Sequence, residues 1–259
     1  VSVVALASAK GSPGTTMTAL ALGAAWGSDV AVADLDPVGG DIVWRTRDVA
    51  GEPLDPDHGV LSLAAAARRG ATETTLGDHL QECSLGFPVL AGVPSPEQLA
   101  GLGSAWTQLP QIFSSYAGDV LVDLGRVVPG SASLPVLLQA DAVVFVVRPD
   151  LEGVAQLRTR LRGLADALGL DHPRTSRVGV AVMTSYRDTG VVTDLQRLLD
   201  AEGLRARVLG IVADDDKGAR ILCSARVGDP RKSLLVRSAR SLADQVRTLI
   251  GDAARLGVM

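Results

Sequence analysis

Short runs of consecutive apolar residues recur along the chain, at residues 3–7, 30–33, 87–90, 120–122, 142–147, 178–182 and 208–212. Each run is continuous rather than alternating, the pattern of strands buried on both faces of a parallel sheet. The gaps between them carry apolar residues at helical spacing, at 16–26, 61–69, 131–139, 152–168, 191–201 and 238–256. This β-α alternation predicts an α/β fold of three layers, helices on both sides of a mostly parallel central sheet. Residues 36–57 are rich in Gly, Pro and Asp and read as an active-site loop holding one short helix at 41–46, with Asp41 as its N-cap. With no internal repeat, low-complexity tail or linker, residues 1–259 read as a single domain.

Composition narrows the picture in two ways. Hydrophobic residues make up 47% of the chain but aromatics only 3%, so the core must be built from Val, Leu and Ala. The net charge of −4 argues against strong nonspecific binding to nucleic acid or anionic lipid. No apolar run approaches the ~20 residues needed to span a bilayer, and no signal-peptide pattern is visible, so a cytoplasmic location is expected. The start at Val1 rather than Met reads as a fragment. Cys83 and Cys223 form no close pair and read as two reduced thiols. His58, His79 and His172 are scattered and read as surface or packing residues rather than metal ligands.

The most informative segment is Ser8-Ala9-Lys10-Gly11-Ser12-Pro13-Gly14-Thr15-Thr16-Met17, which joins the first apolar run to the first helical pattern. A Gly-rich turn from strand to helix directs backbone N–H groups and the positive helix end at one anion. The general pattern G-x-x-x-x-G-K-[ST] is only partly met, because Ala9 stands at the first Gly and Thr15 at the Lys. A different lysine, Lys10, opens the loop, in a chain where only three of 25 basic residues are lysine.

These residues resemble the deviant Walker A P-loop ATPase family that includes ParA and MinD, whose loop reads K-G-G-x-G-K-[ST]. Lys10, Gly11, Gly14 and Thr16 match that loop, Ser12 is a mild change and Thr15 departs from it. The resemblance implies ATP and Mg²⁺ as cofactors, with residues 10–17 (Lys10, Gly11, Ser12, Pro13, Gly14, Thr15, Thr16 and Met17) around the phosphates. It also implies a nucleotide-sandwich homodimer, in which Lys10 reaches the partner's phosphates. Asp34-Leu35-Asp36-Pro37-Val38-Gly39 is similar to the family's switch I, D-x-D-P-Q-G. There Asp36 would position the attacking water and Asp34 would lie near the metal. Asp123-Leu124-Gly125 is similar to Walker B and switch II, with Asp123 and the Thr16 hydroxyl holding Mg²⁺. Met183-Thr184 and Ala213-Asp214-Asp215 fall where the family contacts adenine, giving Thr184, Ala213 and Asp214 as base-side residues.

Thr15 decides between two classes of function. A lysine on β- and γ-phosphates makes charge-assisted hydrogen bonds worth about 1.5–3 kcal/mol each. Its loss predicts weaker nucleotide binding and slower hydrolysis, with Lys10, Arg126 or Arg148 as substitute charges. One reading is therefore a slow ATPase acting as a dimeric switch that positions a cellular cargo through a protein partner. The other is a non-enzymatic scaffold that recruits secretion, pilus or division machinery, as the altered loops of the TadZ and CpaE branch suggest. The final helix puts Leu242, Val246, Leu249, Ile250, Ala253 and Leu256 on one face and reads as docked on the sheet rather than on lipid. The basic run at 158–162 reads as a solvated helix face rather than a nucleic-acid contact.

Overall fold

β-branched and small apolar residues pack well on a sheet covered on both faces, and they line up accordingly in the computed structural model, which describes residues 1–11, 13–69, 75–170, 176–224 and 227–255. The strands are β1 (Val3–Ser8), β2 (Val30–Asp34), β3 (Gln81–Glu82), β4 (Pro88–Leu90), β5 (Asp119–Arg126), β6 (Ala142–Val147), β7 (Val178–Thr184) and β8 (Arg207–Ala213). They form one sheet in the order β3-β4-β2-β5-β1-β6-β7-β8. Every pairing is parallel except the two-residue edge β3–β4. On one face the core gathers Leu63, Phe113, Leu137, Leu157 and Leu199 from the helices Val60–Arg68, Leu109–Ser114, Leu134–Gln139, Leu151–Gly163 and Gly190–Ala201. On the other it gathers Leu20, Ile42 and Leu242 from Thr15–Ala25, Ile42–Arg45 and Leu234–Arg255. The expected three-layer α/β/α architecture is the observed one.

Several local expectations need correction. The acids of β5 do not follow the strand, since β5 continues through Asp123 to Arg126. The helix expected over 152–168 breaks at Leu164, leaving Leu151–Gly163 and Ala165–Leu168. Strand β3 and the helices Pro96–Ala100, Leu109–Ser114 and Asp216–Leu222 were not anticipated. The final helix docks as expected, with Leu242, Val246, Leu249 and Ala253 buried and Ile250 partly so, while Leu256 lies outside the described residues. The basic run is not simply solvated: Arg158 and Arg162 pair with Glu202, and Arg160 is buried.

Two acids at the starts of β5 and β6 fix the far end of the sheet. Asp119 accepts the Ser2 N–H and the Trp26 indole N–H, each at 2.8 Å, and Asp141 accepts the Val3 N–H at 2.7 Å. Trp26 is buried, and Arg247 of the final helix lies 4.6 Å from its ring centre, so one cluster ties β5, the first helix and the last. Replacing Asp119 would leave the buried indole donor unmatched. Asp119→Ala is expected to cost about 1–3 kcal/mol of stability, read as a lower urea midpoint with unchanged slope; an unchanged midpoint would contradict this role.

Candidate functional site

β1 delivers the chain to the loop at residues 9–14, and Gly14 turns it into the helix with φ 102° and ψ 27°. A side chain there would be strained, and its Cβ would come within 2.7 Å of the Met183 methyl at the end of β7. The helix Thr15–Ala25 starts with no side-chain cap and no acid in its first turn. The N–H groups of Thr15, Thr16 and Met17 thus lack intrahelical acceptors and form the positive end of the helix. Around Gly11 there is open space. Thr15 is buried, and its hydroxyl has no hydrogen-bond partner. Lys10 is exposed, without a hydrogen bond or ion pair among the described residues. It lines a small recess of about 70 Å³ with Gly11, Arg148 and Asp150. Ser12 and His172 lie outside the described residues.

Facing this loop, parallel pairing of β2 with β5 sets Asp34 beside Asp123 in register. Both carboxylates are buried. Asp34 accepts the N–H of Asp36 at 3.2 Å and of Ile42 at 2.9 Å. Asp123 accepts the Gly125 N–H at 2.9 Å through Oδ1, and its Oδ2 has no partner. The Thr16 hydroxyl is near enough to favour the Asp123 carboxylate, although no hydrogen bond reaches that orphaned oxygen. Burial, with the neighbouring acid charges adding to it, pushes Asp34 up to about 6 and Asp123 up to about 8. Asp36 is also raised, chiefly by burial, and its carboxylate crowds Gly125, where a Cβ would come within 2.2 Å. Gly125 has φ 54°, so glycine answers both the backbone and the space.

A cavity of about 530 Å³ joins these parts. Gly11, Gly14, Thr15, Thr16 and Met17 line one side of it, and Asp36, Asp41 and Arg45 line another, with Gly125 and Arg126 beside them. Asp34, Asp123 and Lys10 are not on its lining. Asp41 occupies the N-cap position of the helix Ile42–Arg45, but its side chain makes no cap hydrogen bond. Asp34 takes the Ile42 N–H instead, and Asp41 pairs with Arg45 at 2.6 Å. Sequence reasoning missed Arg45. The i,i+4 spacing from Asp41 within a predicted helix was the available signal.

The residues expected on the base side meet at the ends of β7 and β8. Thr184 and Ala213 are register partners, and the Asp214 N–H donates to the Thr184 carbonyl at 2.9 Å. The Asp214 carboxylate is held by Arg148 at 2.6 Å. Met183, one residue before Thr184, touches Gly14, so this group borders the loop. Asp215 caps the helix Asp216–Leu222 through the Gly218 N–H. Cys83 and Cys223 are free thiols. His79 contacts the Ser62 hydroxyl at 2.8 Å, and no group of three or more His, Cys, Asp or Glu residues is placed to hold a metal among the described residues. A cation at this site would depend on a hydroxyl and one carboxylate. The orphaned Asp123 oxygen beside Thr16 fits a hard, oxygen-seeking ion. No helix among the described residues is long and apolar enough to cross a membrane.

No protein-family model matches the chain, and no curated protein does. Solved structures match across nearly its whole length. A ParA family ATPase from Chlorobium tepidum covers 93% of this chain and 98% of its own, at 16% identity and a TM-score of 0.70. The Pyrococcus furiosus cell division ATPase MinD covers 96% and 99%, at 16% identity and 0.68. The septum site-determining protein MinD from Pyrococcus horikoshii, complexed with Mg-ADP, covers 96% and 97%, at 15% identity and 0.66. The chain therefore has the ParA/MinD-type α/β fold.

Both raised acids bind a proton more tightly in the folded chain than at their ordinary value of 3.8. Between that value and about 6 or about 8 the native state holds more protons, so their contribution to stability falls as pH rises through this window. In metal-free buffer the melting temperature is expected to decline from pH 5 to pH 8, and Asp123→Asn to remove most of the decline. An identical slope in the variant would rule out this origin.

Proposed function

We propose that the chain binds adenine nucleotide with Mg²⁺ and acts as a nucleotide-dependent homodimeric switch that positions a cellular cargo in the cytoplasm through a protein partner. The carrying observation is the single cavity that brings the uncapped first turn at Thr15–Met17 against Asp36 and Gly125. The N–H groups of that turn bind and orient an anionic phosphate. Thr16 and Asp123 would hold the metal, with Asp34 behind them in the buried acid pair. When bound, Mg²⁺ neutralises phosphate charge and polarises the bond to be broken. Asp36 is half-buried at the cavity wall with a raised pKa, which suits a carboxylate that orients a water. Thr184, Ala213 and Asp214 border the loop on the side left for the base. Thr15 brings a buried hydroxyl and no charge, so turnover is slow. That same residue favours the second reading, a scaffold that binds without hydrolysing.

Lys10 serves the dimer rather than its own site. It is exposed, unpaired among the described residues and outside the cavity that its own loop lines. Two strand-end faces brought together would put each Lys10 beside the other subunit's phosphates. Neither lipid nor nucleic acid is favoured, because the last helix turns its apolar face to the core and Arg158 and Arg162 pair with Glu202.

Three outcomes are expected. Calorimetry detects Mg-ATP at micromolar or weaker affinity, Thr16→Ala impairs Mg²⁺-dependent binding most, and absence of heat at millimolar ATP refutes the proposal. Thr15→Lys tightens ATP by about 10- to 100-fold, and Asp36→Ala abolishes turnover while sparing binding. Turnover below detection in both wild type and Thr15→Lys, with binding intact, selects the scaffold. In sedimentation, Lys10→Ala removes ATP-dependent dimerisation and leaves monomer binding nearly unchanged; loss of binding at every protein concentration would assign Lys10 to its own site.

A further inference from the structure

The cavity contains a cation that sequence comparison with the phosphate loop would not supply. Arg45 lies at the end of the helix Ile42–Arg45, and its guanidinium reaches across to the first turn of the loop helix, 3.9 Å from the Met17 sulfur. It lines the same cavity as Thr15, whose hydroxyl is buried without a partner. We propose that Arg45 supplies the positive charge that residue 15 lacks, leaving Asp41 to grip the terminal phosphate of a nucleoside triphosphate. This rests on the nucleotide reading above.

The exchange follows from the competition on the cavity wall. Asp41 holds Arg45 through Nε at 3.2 Å and Nη2 at 2.6 Å, yet both side chains are substantially exposed, at 53% and 40%. An ion pair in that setting is weak and readily exchanged. A phosphate that offers two oxygens and more negative charge matches the planar guanidinium fork better than one surface carboxylate does. Asp36 and Asp41 both face the cavity, so Asp41 also repels an arriving anion until Arg45 turns away from it. Arg126 lines the cavity as well, but it is exposed and its side chain has no hydrogen bond or ion pair among the described residues. Of these two arginines on the cavity, Arg45 is the one already held against the first turn of the loop helix. The adjacent Trp44 is 62% exposed, whereas Trp26 and Trp106 are buried, so quenching by acrylamide reports on this helix.

The test compares Mg-ATP and Mg-ADP binding by calorimetry on the full chain. Arg45→Ala is expected to weaken ATP by about 10- to 100-fold and ADP by much less, with Arg45→Lys between it and wild type. Asp41→Asn is expected to tighten ATP, the opposite sign to a merely structural role for the pair. ATP should change Trp44 quenching in wild type and not in Arg45→Ala. If wild type binds ATP and Arg45→Ala binds it equally well, or if only Arg126→Ala loses the terminal-phosphate preference, the inference is overturned while the nucleotide reading stands. If wild type binds no nucleotide, the nucleotide reading fails and this one with it.

Discussion

One buried carboxylate organises the loop on which the site depends. Asp34 leaves β2 with its two oxygens on the backbone N–H groups of Asp36 and Ile42, which folds the intervening residues back over the strand end. The fit is tight: a Cβ at Gly40 would come within 2.9 Å of Asp34, and one at Gly92 within 2.8 Å. The same bonds place Asp36 against Gly125 and cap the helix Ile42–Arg45 without help from the Asp41 side chain. Asp41 is then available to hold Arg45 at the cavity wall. A single acid therefore sets the positions of a second acid, a third acid and an arginine.

Parallel pairing makes this arrangement costly as well as useful. Register between β2 and β5 forces Asp34 next to Asp123 in a setting without water. Two backbone N–H groups serve Asp34 and one serves Asp123, which leaves the Asp123 Oδ2 exposed to no donor. Such a group resists ionisation and keeps its proton until a cation arrives. This cost falls at the last residue of β2 and beside it in β5, toward the C-terminal ends of the strands, the region of an open α/β sheet in which ligands bind.

The fold was legible because its strands are nearly pure Val, Ala and Leu, and their continuous runs separate cleanly from helical spacing. Strand β3 was not, since Gln81-Glu82 is too short and too polar to leave a pattern. Helices at 96–100, 109–114 and 216–222 span only one or two turns, below the length at which periodicity speaks. At the site, Gly11, Gly14, Thr15, Thr16, Met17 and Asp36 could be read from local order and do meet on one cavity. Partnerships were harder. That Asp34 would cap residue 42, that Asp41 would release the cap to hold Arg45, and that Arg148 would hold Asp214 all depend on tertiary placement. Local motifs specify which groups arrive at a strand end, but not which of their neighbours they will choose.

The two borders of the sheet differ from its interior in a way that bears on how copies of the chain can meet. At one, β3 is two residues long, antiparallel and carries Glu82. At the other, β8 is irregular where its register with β7 shifts between the pairs Val180–Val208 and Ala181–Gly210, with Gly210 at φ 138° in the bulged stretch and the charged Arg207 at its start. Short, charged and bulged borders are poor templates for strand addition. A core this rich in β-branched residues would otherwise be prone to growth by sheet extension. The chain thus keeps its most adhesive backbone out of reach of its own copies.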